Sequence, residues 1–100
     1  MSKVKHVVLL KFKESTTNEQ IDQIFQEILD LTESVDGIED YVSGANNSPE
    51  SLNQGYTHGL VMSFSDAAAR DGYLANPEHE RVKQMALPHT DQVLVFDFEV

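Results

Sequence analysis

The sequence predicts an α+β domain with the element order β-α-β-β-α-β, the ferredoxin-like arrangement. Short β-branched apolar segments alternate with longer segments whose apolar residues recur every three to four positions, as strands and helices require. The 100 residues contain no repeat, linker or low-complexity stretch, so they fit one domain spanning residues 1–100. In this topology the helices cover one face of a four-stranded antiparallel sheet.

The first strand and the first helix have clear boundary signals. Val4–Phe12 (VKHVVLLKF) is β-branched and apolar, and its length suits a strand. Thr16 and Glu19 have capping-box spacing, which predicts that Thr16 is the N-cap of a helix over 17–34. This helix, which should stop before Gly37, has apolar residues at helical spacing: Ile21, Ile24, Phe25, Ile28, Leu29, Leu31 and Val35.

The second half is predicted to contain three strands and two short helices. Ser65 or Asp66 should cap a helix that runs through Ala75. Asn76 followed by Pro77 is a favoured start for a further helix, because proline suits the first helical position. The strands are expected over 38–46, 56–64 and 92–100, with a polar loop over 47–55.

Composition excludes several classes of protein. Seven Lys and Arg against seventeen acidic residues give a net charge of −10, which argues against nucleic-acid binding. There is no cysteine, and no apolar run approaches the ~20 residues that a membrane span needs. Without a signal-peptide pattern, a cytoplasmic location is expected. His79-Glu80 begins like a zinc-protease motif, but Lys83 replaces its second histidine, so we expect no metal and no cofactor.

Both faces of the predicted sheet are apolar, although helices can cover only one of them. Side-chain alternation places Val7 and Leu9 on the face away from the helices, and it gives the last strand two apolar faces as well. A large exposed apolar face would be unusual in a monomer. We therefore predict a homodimer that packs sheet face to sheet face through Val7, Leu9, Leu94, Phe96 and Phe98.

Three motifs together resemble the stress-responsive A/B barrel (Dabb) domain family, over essentially the whole chain. They are the opening strand Val4–Phe12, the segment Gly55-Tyr56-Thr57-His58, and Tyr73 followed by Pro77 and His79. The resemblance implies a ferredoxin-like protomer that forms a dimeric α+β barrel. Many members of this family have no assigned activity, and one plant member is a heat-stable stress protein.

The resemblance also implies roles for particular residues. A plant polyketide cyclase of this family carries out an aldol-type condensation with a Tyr and a His as acid–base residues, which correspond to Tyr73 and His79. Two further histidines lining its cavity correspond to His6 and His58. The chain differs from that enzyme where cavity aromatics and a glycine would stand, and we therefore expect a different substrate; the three positions are Ile28, Thr90 and Lys83.

The chemistry of Tyr73 and His79 allows two interpretations. As the third residue of a helix capped by Asn76, His79 lies near the positive end of the helix dipole, which lowers an imidazole pKa; Glu78 and Glu80 would oppose this. A neutral His beside a Tyr hydroxyl could abstract a proton next to a carbonyl group. The same pair could instead simply stabilise the helix junction.

A ligand pocket is expected on the helix-covered face. His6 and His58 are predicted to face the helices from adjacent strands, where the two imidazoles either meet at one end of the pocket or are ordinary hydrogen-bonded core histidines. The other expected lining residues are apolar: Val8, Leu10, Leu60 and Met62.

Three functional hypotheses follow. The first is a homodimeric binding or stress-related domain whose internal pocket takes a small apolar or carbonyl ligand. The second is a cofactor-free acid–base enzyme, a cyclase or isomerase, that uses Tyr73 and His79. The third comes from other dimeric α+β barrel families, which include cofactor-free monooxygenases, and no residue of this chain selects it.

Overall fold

The computed structural model describes residues 2–100 and has the ferredoxin-like topology that the sequence predicts. The four strands form one antiparallel sheet in the order β2-β3-β1-β4, so the predicted fold class is confirmed. The elements are β1 (Val4–Phe12), α1 (Asn18–Ser34), β2 (Ile38–Ala45), β3 (His58–Phe64), α2 (Ala67–Ala75), α3 (Pro77–Ala86), a 3₁₀ turn (Leu87–His89) and β4 (Thr90–Glu99).

The first helix begins one residue later than its capping pattern predicts. Thr17, not Thr16, is the N-cap: its hydroxyl accepts from the Gln20 backbone N–H at 3.2 Å, and the Gln20 side chain accepts from the Thr17 N–H at 2.9 Å. The Thr16 hydroxyl instead donates to the carbonyl of His89 at 2.9 Å. The prediction that Thr16 caps the helix together with Glu19 was therefore wrong, because the Thr16 hydroxyl is bonded to a carbonyl far away in the sequence.

Strand boundaries differ from the predicted ones by a few residues. β3 begins at His58 rather than at position 56, because the Tyr56 N–H is bonded to the Asn53 carbonyl at 2.9 Å and belongs to the preceding turn. β4 begins two residues early, at Thr90, because Thr90 already pairs with Phe12 across a register shift. These shifts leave the alternation of faces unchanged.

Strand register places four residues in one row across the sheet. Tyr41 of β2 lies opposite Met62 of β3, Met62 lies opposite His6 of β1, and His6 lies opposite Asp97 of β4. We refer to Tyr41, Met62, His6 and Asp97 as the central row. Its residues share the face that the helices cover, and Met62 and His6 are buried there.

The opposite sheet face is apolar and uncovered, as predicted. Phe96 is 61% exposed and Phe98 is 45% exposed, and on the same face Leu94 of β4 and Val42 of the far edge strand β2 are exposed too. The hydrophobic core lies entirely on the helix side, centred on Phe64, Ile24, Met62 and Val4. In the part of the chain that the structure describes, no helix is long and apolar enough to cross a membrane.

Candidate functional site

The junction between α2 and α3 brings Tyr73 and His79 together, with ring centroids 4.8 Å apart. Asn76 ends α2 and starts α3, and its side chain accepts from the Glu78 N–H at 2.8 Å. Pro77 at the first position makes His79 the third residue of α3, as predicted. The local sequence therefore folds the chain so that the phenol and the imidazole face each other.

His6 completes this cluster from the sheet. It is 4% exposed, its ring lies 6.2 Å from that of Tyr73, and its Nδ1 lies 2.7 Å from Oδ1 of Asp97. Because a carboxylate only accepts, Nδ1 must carry the proton, which leaves Nε2 of a neutral His6 free to accept. Arg70 donates from Nη1 to the other Asp97 oxygen at 3.2 Å and holds the carboxylate in place.

Asp97 and Arg70 received no role from sequence reasoning. One signal was present for Asp97: alternation along β4 places this acid on the same face as Val93 and Val95, where an ionised side chain needs a partner. Arg70 carries no comparable signal, because its contact with Asp97 depends on how α2 lies over the sheet.

Burial sets the protonation states of Tyr73 and His79. Burial, followed by the nearby Tyr41, raises the pKa of Tyr73 to about 12. Burial is also the first cause that lowers the pKa of His79, helped by Lys83 and His6 and opposed by Glu80 and the backbone carbonyl of Leu74. Tyr73 is thus a protonated donor and His79 a neutral acceptor at neutral pH; the predicted direction for His79 holds, with burial as its main cause.

Two buried polar atoms in this region lack a hydrogen-bond partner within residues 2–100. They are Nδ1 of His79 and the hydroxyl of Tyr41. Buried polar groups are nearly always paired in folded proteins, so an orphaned pair in one region marks a place that can receive a ligand.

His58 does not join the cluster, and the interpretation in which it meets His6 was wrong. β1 and β3 are antiparallel, so His58 lies opposite Leu10, four residues along from His6 and roughly 13 Å away. The His58 ring packs against Phe12 at 5.3 Å and Phe25 at 5.7 Å. Burial lowers the pKa of His58, with Asp22 opposing it.

The apolar residues predicted to line a pocket lie on the helix face between these two ends. Leu10, Leu60 and Met62 are buried in the core, and Val8 packs against them. Contact with a ligand remains a prediction for all four. Met62 is the best placed, because it lies between Tyr41 and His6 in the central row.

Two surface grooves border the sheet. One of about 460 Å³ lies at the uncovered face of β1, β2 and β3, where Val7, Leu9 and Val42 line it, and His58 and Leu60 also form part of its wall. The other, of about 500 Å³, lies between the end of α1 and the start of β2, and Tyr41 forms part of its wall. Tyr73 and His79 line neither groove, so Tyr41 is the member of the polar region that reaches one.

The three positions that depart from the polyketide cyclase pattern have local roles here. Ile28 is a buried core residue, and the Thr90 hydroxyl donates to the carbonyl of Leu87 at 3.1 Å. Lys83 forms an ion pair with Glu80 at 2.9 Å, and its charge helps to keep His79 neutral. Over residues 2–100, no group of three or more His, Asp or Glu side chains is placed to hold a metal ion.

Comparisons with known proteins agree with this fold. The chain is 32% identical over 96 residues to the stress-response A/B barrel domain-containing protein HS1 of Arabidopsis thaliana, covering 96% of this chain and 88% of that protein. It is 25% identical over 95 residues to olivetolic acid cyclase of Cannabis sativa, covering 95% of this chain and 94% of that enzyme. A dimeric ferredoxin-like protein from Jannaschia has a TM-score of 0.88 at 26% identity, over 98% of this chain and 99% of that one. The family model of the stress-responsive A/B barrel domain matches residues 4–100. The chain therefore belongs to the stress-responsive A/B barrel domain family.

Proposed function

We propose that the protein is a homodimeric domain that binds a small apolar or carbonyl ligand between the sheet and the α2–α3 junction. The observation that carries the proposal is Nδ1 of His79, which is buried without a partner beside Tyr73 and close to His6. A ligand hydroxyl or enol could donate to this nitrogen, while the Tyr73 hydroxyl donates to a ligand carbonyl. Leu60 and Met62 would supply apolar contact.

A second function, cofactor-free acid–base catalysis, is supported by the protonation states. A neutral His79 is the form that can remove a proton next to a carbonyl group, and protonated Tyr73 is the form that can stabilise the resulting enolate oxygen. The hydrogen bond from His6 to Asp97 gives that imidazole a fixed orientation, as acid–base sites require. The relationship to olivetolic acid cyclase is consistent with this chemistry.

The ligand proposal can be tested by a thermal-shift screen with small β-dicarbonyl compounds and aromatic acids. We expect a ligand to raise the Tm of the wild type and to lose most of that effect in His79→Ala. His89→Ala is the matched control, since this residue lies in the 3₁₀ turn outside the cluster. An unchanged response in His79→Ala would contradict the proposed site.

The catalytic alternative predicts a further signal. With a β-dicarbonyl or aryl ketone in D₂O, NMR should show protein-dependent exchange of the α-hydrogen, and the exchange should be lost in His79→Ala and reduced about 10²-fold or more in Tyr73→Phe. Binding without any accelerated exchange would leave the protein as a binding domain.

The homodimer is proposed to form through the uncovered sheet face, by the five residues predicted from the sequence, Val7, Leu9, Leu94, Phe96 and Phe98. The exposure of Phe96 and Phe98 supports this, as does the dimeric relative from Jannaschia. Sedimentation of Phe96→Asp should show a monomer. Val95→Asp should stay dimeric, because Val95 is similarly exposed on the same strand but faces the other way. A monomeric wild type at micromolar concentration would refute the dimer.

A further inference from the structure

The Tyr41 hydroxyl is a buried polar group without a hydrogen-bond partner among the described residues. The Ser43 side chain is a polar neighbour, but its contact with the hydroxyl does not have hydrogen-bond geometry, and no other of residues 2–100 bonds to it. The Tyr41 ring packs against the hydrophobic core. Leaving a hydroxyl buried and unpaired costs free energy, and a phenylalanine would pack the same ring without that cost. The hydroxyl therefore calls for an explanation other than stability.

The position of Tyr41 suggests what that explanation is. It stands at the β2 end of the central row, while His6 and Asp97 stand at the other end. Tyr41 is also part of the wall of the groove between α1 and β2. It thus lies between a surface groove and the proposed ligand site.

Tyr41 and Tyr73 are also near enough to interact electrostatically. Tyr41 is the second cause, after burial, that raises the pKa of Tyr73, and burial raises the pKa of Tyr41 itself, with Ser43 opposing. Both phenols therefore keep their protons at neutral pH, and each remains a hydrogen-bond donor.

We propose that Tyr41 is a specificity-determining residue whose hydroxyl forms a second hydrogen bond with the ligand. The inference rests on the proposed function, in which Tyr73 and His79 bind the first polar group. The backbone of Tyr41 lies two strand spacings, roughly 9.6 Å, from that of His6, whose ring packs against Tyr73, so the two hydrogen bonds are assigned to separate polar groups of the ligand. The ligand class is a flat aromatic or conjugated compound with an oxygen at each end, such as a hydroxyaryl ketone.

The test compares 4-hydroxyacetophenone with acetophenone, which lacks the second oxygen. Dissociation constants are measured by ligand-observed NMR for the wild type, Tyr41→Phe, His79→Ala and Tyr56→Phe. The last is the matched control, because the Tyr56 ring lies under Lys11 and lines the other groove. We expect Tyr41→Phe to weaken binding of 4-hydroxyacetophenone about tenfold and to leave the affinity for acetophenone unchanged. Tyr56→Phe should change neither affinity.

The outcomes separate this inference from the function on which it rests. If Tyr41→Phe weakens both probes equally or neither, or if the wild type binds the two compounds alike, the inference is overturned. In that case a loss of binding in His79→Ala would still support the proposed site. If both probes bind and His79→Ala changes neither, the proposed site itself fails. If the wild type binds neither probe, the ligand class, and with it this inference, is refuted.

The Tm of Tyr41→Phe without ligand tests whether the hydroxyl has a structural role instead. Removing an unpaired buried hydroxyl should leave the Tm of Tyr41→Phe unchanged or raise it by a few degrees. A fall of more than about 4 °C would show that the hydroxyl stabilises the fold, and would overturn the proposal.

Discussion

Alkaline pH should destabilise this protein in part through ionisation of the buried Tyr73 phenol. The pKa of Tyr73 rises from 10.0 to about 12 on folding, mainly because the ring is buried. A raised folded-state pKa means that its contribution to stability is complete below pH 10 and is lost between pH 10 and about 12. Linkage over this shift removes about 2 kcal/mol of unfolding free energy between pH 9 and 11.5. That is a large part of the ~5–15 kcal/mol typical of a small domain.

Tyr73→Phe isolates this contribution, because phenylalanine has no proton to lose. Urea unfolding followed by circular dichroism at pH 9 and pH 11.5, at one protein concentration, gives the two free energies for each protein. The wild type should lose about 2 kcal/mol more than the variant over this interval. Equal losses in the two proteins would refute the conclusion that Tyr73 is buried with a raised pKa.

Three further predictions concern backbone conformation, capping and acid stability. Gly37 has φ +91°, and a Cβ there would lie 2.6 Å from Cβ of Ala69. Gly37→Ala should therefore lower the unfolding free energy, measured in urea, by about 1–3 kcal/mol. Gly72 of α2 has open space around it, so Gly72→Ala should raise the unfolding free energy by about 0.5–1 kcal/mol. Thr17→Ala should cost about 1 kcal/mol by the same measurement, and no loss would contradict the observed N-cap. Since folding lowers the pKa of His79, protonation favours the unfolded state, and stability should fall as pH drops below about 6.5. A Tm–pH profile of His79→Gln should be flatter than that of the wild type, and identical profiles would argue against the burial of this imidazole.

The proposed dimer interface and the proposed ligand site can be tested independently of each other. The uncovered sheet face and the central row are opposite faces of the same four strands, so each face can be tested by substitutions that leave the other in place. Phe96 and Val95 are neighbours on β4 that point to opposite faces, which makes them a sharp pair for this purpose.

Sequence reasoning was most successful where the structure is local. Asn76 and Pro77 start α3 through contacts within three residues, and this fixes His79 in its first turn whatever the rest of the chain does. The alternation of faces in β1 and β4 likewise needs only the period of a strand. Such features depend on neighbours in the chain, so the amino-acid sequence alone was enough to predict them.

The helix sequence alone could not decide between two adjacent threonines as the N-cap of α1. Thr16 and Thr17 are both reasonable N-caps, and the choice depends on the carbonyl of His89, which lies 73 residues away and captures the Thr16 hydroxyl. No pattern within the helix could reveal that contact. An uncertainty of one residue at the end of a helix is the expected result.

By itself, the sequence determined the order of the elements, the two apolar sheet faces and the pairing of Tyr73 with His79 across a helix junction. Only the tertiary structure decided which residues join that pair, because strand register and helix placement are set by the whole chain. Antiparallel register moved His58 to the far end of the sheet and placed Asp97 beside His6. The same register placed Tyr41 in the central row, where its buried hydroxyl lacks a partner within residues 2–100.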